Sequence, residues 1–130
     1  LIPHAIDSVF HIGRTAITPL PVIHGSLKGA QGYRVGNMAY IPDVKVIPES
    51  TFPLLEGLDL LILNCLRYRP HHTHLSLQES LAYAERISPQ RCLFTHLAHD
   101  IDYAVEEPNL PSWAHFASDG LVVEVDSDRN

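Results

Sequence analysis

Apolar positions along this chain fall into two regimes. Up to about residue 47 they are β-branched or alternate with polar residues, as FHIG, then TAITPLPVI, then GYRVGNMAYI. The first two segments predict strands. Pro19 and Pro21 place the second at an edge or a bulge, because neither can donate to a ladder. The third predicts a hairpin about Gly36-Asn37, a pair that tolerates the positive φ of a tight turn. From Pro48 onward helix and strand alternate. STFPLLEG predicts a short helix capped by Ser50, with Pro53 in its first turn and Gly57 as terminator. LDLLILNCL is apolar over strand length, as a strand covered on both faces is. SLQESLAYAERIS predicts the clearest helix: Ser76 and Glu79 are spaced as a capping box, Leu77, Leu81, Ala84 and Ile87 share a face, and Pro89 stops it. RCLFT predicts another buried strand, IDYAVEE a helix closed by Pro108, and GLVVEV a last strand.

Hairpin strands followed by β-α-β-α-β predict an α/β domain: one mixed sheet with helices on its outer side. The second face of that sheet has no predicted cover, so part of a sandwich is expected to be missing. At 130 residues the chain holds one compact unit, and 45% hydrophobic against 18% charged residues is the balance of a folded domain. No apolar run approaches the ~20 residues of a membrane span, and LIPHAIDSVF lacks a basic leader and a cleavage site, so a secretory signal is not expected. Fifteen acidic residues against nine Lys and Arg give a net charge of −6, which argues against a general basic grip on nucleic acid. Cys65 and Cys92 sit in apolar runs and are expected as reduced, buried hydrophobes. A cytoplasmic location follows as the default expectation.

Histidine changes the picture. Nine are present, as many as Lys and Arg together, and the distinctive uses of imidazole are metal ligation and proton transfer near neutral pH. Four predicted strands end in an abrupt His or Asp. TAITPLPVI runs into His24-Gly25, and MAYI runs through Pro42 into Asp43. LDLLILNCL runs into Arg67-Tyr68-Arg69-Pro70-His71-His72-Thr73-His74. RCLFT ends in Thr95-His96, with His99 and Asp100 following. Loops beyond the carboxyl ends of strands are where layered α/β folds build sites, and His with Asp suits a borderline divalent ion. Taken singly, His24 also reads as a residue beside a turn glycine, Asp43 as a turn or cap, His71, His72 and His74 as solvated loop positions, and His99 and Asp100 as cap residues. His4, His11 and His115 carry no pattern.

Taken together, PLPVIHG, GYRVGNMAYIPDV, LDLLILNCLRYRPHHTHLSLQESL, FTHLAHDID and ASDGLVVEV resemble the C-terminal half of a metallo-β-lactamase-fold hydrolase. Within that superfamily the chain is similar to the PhnP-like phosphodiesterases, which open five-membered cyclic phosphates on ribose. The resemblance runs in order from about His11 to Val125, and THLSL followed by THLAHD makes it specific. It implies an αββα sandwich with two divalent ions, zinc or manganese, in the complete protein. It implies His24 as a ligand of one ion, Asp43 as a bridge between both, and His96 as a ligand of the other. His74 matches the histidine that contacts phosphate and protonates the leaving oxygen. His71, His99 and Asp100 fall where residues behind the ligands stand, and His72 answers no family demand.

The superfamily's HxHxDH string occurs nowhere in the 130 residues. Residues 1–130 therefore read as a single partial domain, binding metal weakly and inactive alone. The expected substrate is a small phosphate ester, with no membrane partner and no nucleic acid, and self-association through the uncovered face remains open. Two alternatives stand beside it. One is another hydrolysis on the same fold, of a thioester, a lactone or an RNA end. The other is a non-catalytic half-domain that serves binding or assembly.

Overall fold

In the computed structural model, which describes residues 1–126, the alternation resolves into a seven-stranded sheet with its strands side by side in chain order. β1 (Phe10–Ile12), β2 (Thr15–Pro21), β3 (Gln31–Val35) and β4 (Met38–Ile41) form an antiparallel meander. β5 (Leu60–Asn64), β6 (Arg91–Thr95) and β7 (Ala114–Phe116) then add in parallel beyond β4. Two reversals separate β2 from β4, so β2, β4, β5, β6 and β7 all run one way. Their carboxyl ends share one edge of the sheet, and this topology positions the site.

The hairpin forms where expected, with Val35 opposite Met38 and Gly36 at φ +56°. The prolines are accommodated as an edge would be. β1 pairs only with Thr15–Ile17, so Pro19 and Pro21 lie past its end, where β2 has one neighbour. α1 (Leu77–Ile87) carries the predicted capping box, with Ser76 and Glu79 bonding each other's backbone. It ends at Ser88 in the left-handed region, just before Pro89.

Side chains alternate across the pleat, and one face is sealed. Ala39, Ile41, Leu61, Leu63, Cys92 and Phe94 are 0% exposed and join Leu20, Ala114 and Phe116 in one cluster, against which Leu77, Leu81 and Ile87 of α1 pack. The opposite face is apolar but more open. Met38, Leu60, Ile62 and Leu93 line a shallow depression with Leu121, Val123 and Val125, and Tyr40 is exposed.

Three expectations are corrected. Ser50 does not cap a helix: a 3-10 helix at Glu49–Leu55 begins after Pro48, with no side-chain cap, and Ser50 lies inside it. IDYAVEE shortens to α2 (Tyr103–Glu106), capped by Asp102, and a 3-10 turn at Glu107–Asn109 that contains Pro108. GLVVEV is not a strand. β7 already occupies the free edge of β6, and Gly120 at φ +83° turns residues 121–125 toward the open face, without a ladder. Among the described residues no helix is long and apolar enough to cross a membrane.

Candidate metal centre

His24 follows β2, Asp43 follows β4, His74 lies in the loop between β5 and α1, and His96 follows β6. The shared strand direction brings all four together. Asp43 Oδ1 lies 3.2 Å from His74 Nε2 and 3.3 Å from His96 Nε2. The His24 and His74 rings meet edge to face at 4.7 Å, and the His74 and His96 rings stand 4.4 Å apart. One donor atom each from His24, Asp43 and His74 falls within 4.8 Å of the others.

Local structure holds each ligand candidate. Asn64, fully buried at the end of β5, donates from Nδ2 to the Val44 carbonyl at 2.9 Å, and Ser80 of α1 donates to the Asn64 carbonyl at 2.7 Å. Lys45 is paired with Glu79 at 2.8 Å. The two residues after Asp43 are thereby tied to β5 and to the first turn of α1. Burial raises the pKa of Glu79, but the Lys45 ammonium and the bonds to Ser76 outweigh it and hold the carboxyl below its ordinary value. His96 sits at φ +66°, a left-handed conformation uncommon for a residue with a Cβ and a form of strain that clusters at functional sites. Gly25 is at φ +58°, and a Cβ there would lie 2.7 Å from Thr73 Cγ2. Only glycine lets the chain after β2 close onto the β5–α1 loop.

His24 Nδ1 donates to the Thr73 carbonyl at 2.7 Å. The carbonyl can only accept, so the neutral ring carries its hydrogen on Nδ1 and leaves the Nε2 lone pair bare, as a metal ligand requires. The pKa of His74 is lowered, first by desolvation and then by the nearby His96 and His24 rings, against the opposing pull of Asp43. Imidazole nitrogens around an exposed carboxylate are donors suited to a borderline divalent ion, so these residues fit the metal expected of them. Cys65 and Cys92 do not contribute. Both are fully buried and free, and burial pushes each thiol up to about 12.

The remaining candidates divide. His71 borders the cluster: its ring is 5.5 Å from His74 and 4.4 Å from His72, on which it stacks. His71 Nδ1 accepts from the Thr73 N–H at 3.2 Å, and desolvation lowers its pKa. His99 and Asp100 are exposed in a turn beyond His96 and make no hydrogen bond or ion pair to the four among the described residues. His115 pairs with Glu107 at 2.8 Å, and the same carboxylate accepts from Phe116 N, which fastens β7. Sequence reasoning read Gly25 only as a turn glycine and Thr73 only as part of its motif, and passed over Asn64. Asn64 was legible as the one polar residue inside LLILNCL, and Gly25 as the glycine next to His24. Thr73 carried no signal beyond its place before His74.

The family described as Beta-lactamase superfamily domain matches residues 1–97. Among solved structures, a crystal structure titled as a new diphosphatase from the PhnP family is similar at 35% identity and a TM-score of 0.91, over 95% of this chain and 48% of that one. The metallo-beta-lactamase fold protein YhfI from Bacillus subtilis is similar at 22% identity and a TM-score of 0.72, over 92% of this chain and 54% of that one. Human tRNase Z, short form, is similar at 14% identity and a TM-score of 0.63, over 90% of this chain and 46% of that one. The latter two likenesses are of fold alone. A curated relative, an octanoyltransferase from Porphyromonas gingivalis, is 30% identical over 122 residues, which is 92% of this chain and 25% of that protein. The chain thus spans about half of each matched structure and a quarter of the curated relative.

Proposed function

We propose that this chain, which belongs to the Beta-lactamase superfamily domain family, carries the phosphate-facing part of a metal-dependent hydrolase that cleaves a small phosphate ester as a phosphodiesterase. The observation that carries this reading is the meeting of His24, Asp43, His74 and His96 at one sheet edge. His74 is held there on both ring nitrogens, by Thr73 Oγ1 at 2.9 Å and Asp43 Oδ1 at 3.2 Å. Likeness to a PhnP-family diphosphatase supports a phosphate substrate.

In this reading His24, Asp43 and His96 would hold divalent ions, zinc or manganese. Such ions, when bound, acidify water and offset phosphoryl charge. Three donors divided between two ions close neither set. The chain by itself is therefore expected to bind metal weakly and to be inactive, with the HxHxDH donors supplied from outside residues 1–130. The part left to His74 is proton donation. Its ring stands beside the carboxylate at the open rim, in position to protonate the departing alkoxide. Acyl transfer through a thiol has no support here, since both cysteines are sealed in the core.

The test uses the full-length, metal-loaded protein with bis-p-nitrophenyl phosphate, cyclic nucleotides, thioesters and lactones. Turnover confined to phosphodiesters is expected. His74→Ala should lower their rate by roughly 10²–10⁴-fold with metal content unchanged. Turnover of thioesters alone would overturn the substrate class, and loss of metal in His74→Ala would move His74 into the ligand set.

A further inference from the structure

Thr73 uses every polar atom it has within the cluster. Its carbonyl accepts from His24 Nδ1 at 2.7 Å, and its N–H donates to His71 Nδ1 at 3.2 Å. Its hydroxyl lies 2.9 Å from His74 Nδ1 and 3.1 Å from His71 Nδ1. Its methyl group fills the space beside Gly25 that any Cβ there would invade. From these contacts we infer that Thr73 is a positioning residue that sets the His74 ring for proton donation while its carbonyl sets the ring of His24. This inference rests on the reading of His74 as the proton donor.

The two roles need different atoms. A carbonyl accepts only, so it selects one tautomer of His24 and keeps it, as a ligand needs. A hydroxyl donates and accepts, so it can accept from His74 Nδ1 while turning its own hydrogen toward His71. With Nε2, on the Asp43 side, as the nitrogen that gives up the proton, Nδ1 keeps its hydrogen throughout and donates it to the Thr73 hydroxyl, which keeps the ring aimed. His71 completes the arrangement. Its Nδ1 already accepts from the Thr73 N–H and so bears no hydrogen. That nitrogen stands 3.1 Å from Thr73 Oγ1, close enough to share its one lone pair with the hydroxyl hydrogen while Oγ1 accepts from His74. Asp43 holds the far side of the ring, so the hydroxyl supplies the second of two points that fix its rotation.

The experiment compares Thr73→Val, Thr73→Ser and His74→Ala in the full-length, metal-loaded protein. Each is assayed on a phosphodiester with an alkyl leaving group, which needs a proton to depart, and on a p-nitrophenyl ester, which does not. Metal content and the imidazole ¹⁵N shifts of His74 are read alongside. His74→Ala should lose far more on the alkyl ester than on the nitrophenyl ester. Thr73→Val should show the same preference, with roughly 10- to 100-fold greater loss on the alkyl ester, an altered His74 ¹⁵N pattern and unchanged metal. Thr73→Ser should stay near the parent. If His74→Ala is selective but Thr73→Val loses equally on both esters, or on neither, Thr73 has no positioning role. If His74→Ala is itself unselective, the proton-donor reading falls and this inference with it. Should Thr73→Val not fold, as judged by its melting transition, Thr73→Ala takes its place under the same criteria.

Discussion

The sheet face beneath α1 and the edge where the parallel strands end are built from the same strands to opposite ends. Leu61, Leu63, Cys92 and Phe94 on that face are 0% exposed. One or two residues further along, the side chains of Asp43 and His96 are 51% and 41% exposed. The face gains its stability from close packing of apolar groups, which tolerates no unpaired polarity. At the edge, histidine rings crowd one carboxylate, His96 adopts a left-handed backbone, and burial works against charging His74. Asn64 sits at the frontier. Its Nδ2 and backbone carbonyl are bonded, yet Oδ1 is buried without a partner, a cost accepted where the core gives way to the site. Stability is concentrated on the covered face, and the rim spends some of it on geometry.

Substitutions on either side should separate the two. The largest stability effect is expected from Leu61→Ala, in mid-β5 and remote from the rim: a loss of about 2–5 kcal/mol by denaturant melts, with metal bound per folded molecule unchanged. Metal loss from that variant would show that face and rim are not separable. Gly25→Ala and Gly57→Ala sharpen the comparison, since both glycines have positive φ but only Gly25 abuts another residue, Thr73. Each should cost about 1 kcal/mol or more from backbone strain. Only Gly25→Ala should also weaken metal binding in titrations, because it displaces Thr73 from His24. Equal metal affinities in the two variants would contradict the role given to that contact.

The smallest and most graded effect is on pH. His71 and His74 are both lowered from the ordinary imidazole value of 6.5. Below that pH the unfolded chain binds more protons than the folded one, so metal-free stability declines as pH falls from about 6.5 and levels off once the depressed folded values are passed. Acid also releases bound metal, because protons compete with it for the ligand nitrogens. Melts from pH 8 to 5 check the sign, and greater stability at the acid end would refute it.

Much of this molecule is legible one segment at a time. The hairpin about Gly36-Asn37, the uninterrupted apolar run of β5 and the Ser76–Glu79 box each depend on neighbours within a few residues, and each formed as the local pattern requires. GLVVEV shows the limit. Its composition suits a strand, but a strand exists only where an edge is free, and β7 had taken it. The family resemblance read from PLPVIHG, THLSL and THLAHD agrees with the match over residues 1–97 and named the four residues that meet.

What the residues determine by themselves, then, is the set of elements and the chemistry placed at their ends, since propensity, capping and periodicity are short-range. Only the tertiary structure decided that those ends coincide, because the meander reverses twice before the parallel strands begin. It alone decided that Thr73 bonds His24, 49 residues away, and that His99 and Asp100, among the described residues, make no bond to the four. Convergence of side chains distant in the chain depends on strand direction and register, which no short stretch of sequence encodes.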